Sequence, residues 1–197
     1  MNIKEITFDN YLDLDKKDQE EILNNPDLLK ELVKKNISEH RYLHSLSVAN
    51  LCKELASYHN VDENKAYLAG LLHDCCKFYG DDANKRLEEY LKKYEPEKLN
   101  GIVGAYHSWV AYYYLKEKMN FKDEEILNAI YNHTILNSND DLSLILYIAD
   151  KREPLRGIND NVIEIAKKDL MKAYEILKKD VEDYIKSKNE RFINNGL

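Results

Sequence analysis

An all-α fold is what this chain predicts, and three observations carry the prediction. The 197 residues include only six glycines and three prolines, so little interrupts helix propagation. Apolar residues recur at three- and four-residue spacing through most of the chain. Runs of alternating β-branched residues, the mark of half-buried strands, are scarce. The length suits one domain, of roughly seven to nine helices, over about residues 25–190. Residues 1–24 read as a polar, acidic extension whose apolar cluster is Tyr11, Leu12 and Leu14.

The elements follow in order. Asn25-Pro26 is a helix start, with proline at the first helical position, and Leu28, Leu29, Leu32 and Val33 form its apolar stripe. Ser38 can cap the next helix, whose face carries Leu43, Leu46, Val48, Leu51, Cys52 and Leu55. Asn60 suits its C-terminal end. Asp62 starts a helix that ends near His73-Asp74. Gly80-Asp81-Asp82 reads as a turn and cap before an amphipathic helix, Ala83 to Tyr94. Glu95-Pro96 restarts the chain, Gly101 and Gly104 bend it, and a helix runs through His107 and Trp109 to Lys118. Asp123 caps a helix to His133, and a polar loop follows from Ile135 to Asp140. Leu142 to Asp150 is apolar enough for a buried strand or a buried helix. Its helical neighbours, and Asp141 as a cap, favour helix. A long amphipathic helix over 161–186 closes the pattern.

The totals exclude several function classes. A net charge of -7 argues against broad nucleic-acid binding, which neutralises phosphates with Lys and Arg. It leaves room for a small anion held by a metal and a few local cations. No segment approaches the roughly 18 apolar residues of a membrane span. The opening Met1-Asn2-Ile3-Lys4-Glu5 lacks the apolar core of a signal peptide, so the cytoplasm is the expected location. The three cysteines agree: Cys75 and Cys76 are adjacent, poor geometry for a disulfide, and Cys52 stands apart. The oligomeric state stays open, a homodimer included.

The chemistry concentrates in histidines and aspartates at the ends of apolar runs. Ala66 to Leu72 runs straight into His73-Asp74, and a buried imidazole beside a carboxylate needs a partner. His44, His107 and His133 sit on or beside the apolar stripes of three other helices, and Asp150 ends the most apolar stretch of the chain. Any one of these reads more simply as a satisfied core residue or a surface turn. A shared metal site explains all six at once, as bundle cores do when several helices each contribute a ligand. With Asp74 as bridge, one ion takes His44, His73, Asp74 and Asp150, and a second takes Asp74, His107 and His133. Imidazole and carboxylate without cysteine suit iron, manganese or another first-row ion rather than structural zinc. Two such ions can deprotonate a shared water and clamp the oxygens of an in-line displacement at phosphorus. His40 either supports His44 or faces solvent, and His59, beside Asn60, reads as surface.

The ordered set His44…His73-Asp74…Asp150 resembles the HD-domain metal-dependent phosphohydrolases. A longer set resembles their YqeK-type branch. It comprises His40-Arg41-Tyr42-Leu43-His44-Ser45, His73-Asp74-Cys75-Cys76-Lys77, His107, Asn132-His133-Thr134, and Ala149-Asp150 with Glu153-Pro154 and Arg156. The resemblance spans about residues 27–186. It implies an HD-domain helical bundle and symmetrical hydrolysis of diadenosine tetraphosphate to two ADP by a metal-bound hydroxide. It also implies iron as the metal, one or two ions per chain with two expected, manganese or cobalt being substitutes. Two departures stand out. The branch usually has small residues and proline where Ser108-Trp109 stand, and Tyr-Ile where Lys151-Arg152 stand. Under the resemblance Asp74, Lys77 and Arg156 are catalytic, and His40, Lys77, Arg152 and Arg156 contact the substrate. The alternative for each cation is ordinary surface charge. Trp109 and the tyrosines 112–114 read as core packing. Rival functions are another nucleotide phosphohydrolase, such as a 5′-nucleotidase, and a metal- or nucleotide-sensing HD module without turnover.

Overall fold

The computed structural model describes residues 6–7, 10–78 and 82–180, which contain helices and no strand. The helices are α1 (Lys16–Asn24), α2 (Pro26–Asn36), α3 (Glu39–Ala56), α4 (Glu63–Leu72) and α5 (Ala83–Tyr94). They continue as α6 (Tyr106–Tyr113), α7 (Glu124–Asn132), α8 (Asp141–Arg152) and α9 (Val162–Ala166). A tenth, α10, covers residues 170–180. The expectation for Gly80 and Asp81, that for the side chain of Leu12, and the last turn of the predicted C-terminal helix lie outside the described residues. Among those residues no helix is long and apolar enough to cross a membrane.

The caps explain most boundaries. Asn25, Ser38, Asp62 and Asp123 each accept a backbone N–H of the following turn. Helix α8 departs from expectation: Asp140 rather than Asp141 caps it, because Asp140 has extended backbone and its carboxylate accepts from Ser143 N at 2.8 Å. The predicted helix over 161–186 is broken after Ala166. Asp169 starts a new helix by accepting from Lys172 N at 2.9 Å, and the His59 ring meets the freed Ala166 carbonyl. That contact makes His59 half-buried rather than a surface residue. The predicted helix through Lys118 widens into a π-turn at Tyr114–Lys118. The break after Ala166, together with α1 in the N-terminal stretch, brings the helix count to ten among the described residues, slightly above the expected range.

Helices α3, α4, α7 and α8 form the centre of the bundle, with α6 packed on α7 and α5 on α6. The α3–α4 pair is the most extensive. Gly70 makes it so: a Cβ there would lie 2.6 Å from the Ala49 Cα, closer than real Cβ atoms approach. Tyr11 and Ile22 are fully buried in the same core, and the Tyr11 hydroxyl donates to the Gln19 and Met119 carbonyls.

Candidate metal centre

The central helices end where their polar residues begin, and that places the site. His73 is the residue after the last turn of α4, and His133 holds the same position on α7. Each ring uses Nδ1 to meet the carbonyl three residues earlier: His73 to Gly70 at 2.7 Å, His133 to Ile130 at 2.7 Å. A carbonyl only accepts, so Nδ1 carries the proton and Nε2 presents a lone pair to the interior. Both carbonyls lie in the last turn of their helix, where backbone donors run short. His44, on α3, is oriented similarly: Nδ1 meets Glu153 Oε1 at 3.1 Å. Such outer contacts hold metal-binding imidazoles in register.

The six expected side chains converge. Asp74 Oδ1 faces Nε2 of His107, His73 and His133 at 3.3, 3.5 and 3.6 Å. Asp150 Oδ1 lies 3.2 Å from His44 Nε2 and 3.7 Å from His73 Nε2. His107 Nε2 and His133 Nε2 are 3.0 Å apart. Neighbouring donors on one first-row ion with bonds near 2.1 Å stand about that far apart. Two groups of donors lie within 4.8 Å of one another, His44–His73–Asp150 and His73–Asp74–His133, so His73 belongs to both.

A cation fits this arrangement. Among the described residues, three buried side-chain polar atoms lack a hydrogen-bond partner: Ser45 Oγ, His73 Nε2 and Asp74 Oδ1. The last two are acceptors facing each other 3.5 Å apart, and no hydrogen bond resolves two acceptors. These His and Asp clusters are able to hold a divalent metal. Their protonation suits it. Burial pushes His73 down to about 4, leaving it neutral. Burial pushes Asp74 up, but the imidazoles of His73, His107 and His133 more than reverse this and hold it well below the carboxylate range. Asp150 behaves alike, through His44 and Lys151. His44 is the exception: burial lowers it, yet its bonds to Asp150 and Glu153 raise it overall.

Cations line the solvent side. Asp74 Oδ2 meets Lys77 Nζ at 3.2 Å and Arg41 at 3.6 Å, and Arg156 meets Asp150 Oδ1 at 2.9 Å. Arg41, Lys77, Arg156, His40 and His44 share one cleft of about 710 Å³. His40 is exposed there. Arg152 does not line that cleft: it pairs with Asp160 at 2.7 Å and Asp180 at 2.8 Å, tying α8 to α10. Lys151 is the cation that turns inward, its Nζ 3.6 Å from Asp150 Oδ2 and 3.3 Å from the His133 carbonyl. Burial brings it down to about 8. Sequence reasoning assigned no role to Arg41 or Glu153. Arg41 stands inside the quoted His-Arg-Tyr motif, and Glu153 precedes Pro154, so both carried a local signal. Trp109 is buried, and Tyr112 and Tyr113 are partly buried, as core packing requires.

Comparison with known proteins adds context. Residues 41–155 match the HD domain model, and that range contains all six candidate ligands. A symmetrical bis(5′-nucleosyl)-tetraphosphatase of Bacillus subtilis is 31% identical over 169 residues, covering 80% of this chain and 86% of that protein. A probable nicotinate-nucleotide adenylyltransferase/Ap4A hydrolase of Mycoplasma genitalium is 34% identical over 166 residues. The match covers 78% of this chain but only 46% of that longer protein. The crystal structure of a predicted HD superfamily hydrolase involved in NAD metabolism from Clostridium acetobutylicum superposes with a TM-score of 0.74 at 28% identity. It covers 84% of this chain and 89% of the other.

Proposed function

The chain belongs to the HD-domain family, and we propose that it hydrolyses diadenosine tetraphosphate and related dinucleoside polyphosphates symmetrically, giving two ADP from the former. One observation carries the reading: two unpartnered buried acceptors, His73 Nε2 and Asp74 Oδ1, face each other beneath a cleft walled by cations. The Bacillus subtilis relative, matched over most of its length, supports the substrate. We take the metal to be iron, two ions per chain, with manganese or cobalt as substitutes. His44, His73, Asp74 and Asp150 hold one, and Asp74, His107 and His133 the other. Such ions supply Lewis acidity, activating water and neutralising charge that develops at phosphorus.

The side chains do the rest. Glu153, the Gly70 carbonyl and the Ile130 carbonyl fix three imidazoles so that Nε2 faces the centre. Lys77 and Arg156 lie against the ligand carboxylates, so a phosphate seated at the centre comes within their reach. Their donors stabilise the departing ADP as its terminal oxygen gains charge. Arg41 adds a third donor on the same wall. A nucleotide substrate places the work in the cytoplasm.

Product chromatography tests the reading. Protein loaded with Fe²⁺ and given diadenosine tetraphosphate should yield ADP alone. ATP plus AMP, or free phosphate, contradicts it, and free phosphate from mononucleotides would favour a 5′-nucleotidase. Tight nucleotide binding without products would favour a sensing module.

A further inference from the structure

Exposed large apolar side chains are few among the described residues, and three of the eight line one cleft. Leu43, Leu155 and Ile158 are 49, 65 and 51% exposed, and all three border the 710 Å³ space above the His–Asp centre. Singly exposed leucines are ordinary, whereas a cluster in a concavity points to an occupant. The cleft therefore has two chemical walls: the cations Arg41, Lys77 and Arg156, and an aliphatic rim.

The rim is fixed to the centre. Leu43 adjoins His44 on α3. Leu155 and Ile158 flank Arg156 on the turn after α8, and Gly157, in the left-handed region at φ 63°, reverses the chain between them. The buried Glu153 carboxylate holds both parts at once. One oxygen accepts from Leu155 N at 2.7 Å, and the other meets His44 Nδ1 at 3.1 Å. Phosphate-binding and apolar side chains thus alternate on a short stretch anchored to a metal-ligand histidine.

We propose that Leu43, Leu155 and Ile158 seat the nucleoside of the nucleotide whose phosphates meet Arg41, Lys77 and Arg156. This rests on the reading of the centre as a nucleotide hydrolase. A ligand that fills both walls needs an anionic part joined to an apolar face, and a nucleotide has both. Inorganic polyphosphate has only the first. Aliphatic side chains contribute by area, so the seat sets affinity for the nucleoside and leaves the phosphates to the cations.

Calorimetry with ADP and with inorganic pyrophosphate on metal-loaded protein separates the walls. Carrying Leu43→Gln, Leu155→Ser and Ile158→Ser together, the protein should bind ADP about tenfold more weakly. Its pyrophosphate affinity should match the wild type. Unchanged ADP affinity, or equal losses for ADP and pyrophosphate, overturns the seat. Failure of the wild type to cleave diadenosine tetraphosphate would instead overturn the reaction, while the ADP comparison still decides the seat. The substituted side chains are exposed, so melting temperatures should stay close to the wild type and the binding data should remain readable.

Discussion

Two regions of this molecule gather rings with polar atoms, and they treat those atoms differently. On the α5–α6–α7 flank the tyrosines stack, as Tyr94 and Tyr113 do at 4.6 Å between ring centroids, and their hydroxyls are engaged. Tyr131 donates to Glu95 at 2.8 Å, Tyr106 to the Leu99 carbonyl at 2.7 Å, and Tyr112 accepts from Lys116 at 2.9 Å. At the His–Asp centre the rings also touch, His73 and His133 at 4.9 Å, yet His73 Nε2 and Asp74 Oδ1 have no partner. Both regions are helical, aromatic-rich and largely buried. A complete set of partners marks a structural cluster, and buried acceptors left facing each other mark a place for a cation.

The largest expected effect of breaking that contrast is at His133. If it holds one ion, His133→Ala loses about one metal equivalent and activity falls by orders of magnitude, because the attacked phosphorus loses one of two Lewis acids. Iron per chain, turnover and melting temperature on one preparation check this. Full metal and full turnover would return His133 to structure.

Acid should also separate the regions. His73 sits at about 4 in the folded chain because burial disfavours its charge. Unfolded, it titrates near 6.5, so between these values the unfolded chain binds more protons. Metal-free protein should therefore lose about 3 kcal/mol through this group as pH falls from about 6.5 towards 4. Melting temperatures of chelated protein across that window test it, and a flat profile would count against a neutral buried His73.

The cations come next. Lys77→Ala and Arg156→Ala should each cost about 1.5–3 kcal/mol in transition-state stabilisation while metal content stays intact. Unchanged kinetics in both would make them surface charge. The smallest effect lies on the flank. Tyr131→Phe removes the bond to Glu95 and should cost about 1 kcal/mol of stability, visible as a small drop in melting temperature. Metal content and turnover should match the wild type, and a loss of either would erase the distinction between the regions.

The candidate ligands were legible because they end apolar runs or sit on apolar stripes, where a polar residue is conspicuous. His73 after Leu71-Leu72 and Asp150 after Ile148-Ala149 are the plainest cases. Roles that depend on tertiary contact were not legible. Glu153 reaches His44 across 109 positions of chain, and no local pattern announces that contact. Lys151 and Arg152 are neighbours of equal charge, and only packing decides that one turns to Asp150 and the other to Asp160 and Asp180. The helix pattern was read well where caps were strong, as at Ser38 and Asp62. It failed at Asp169, where apolar periodicity continues through a residue that starts a new helix.

The central claim is that the facing acceptors form a metal centre, and elemental analysis of wild type and Asp74→Asn tests it most directly. Asp74 Oδ1 is the atom on which His73, His107 and His133 converge. Wild-type protein purified without chelator should carry up to two transition-metal ions per chain, and Asp74→Asn should carry close to none while remaining folded. A wild type that holds no transition metal, even after exposure to Fe²⁺, Mn²⁺ or Co²⁺, would contradict the account.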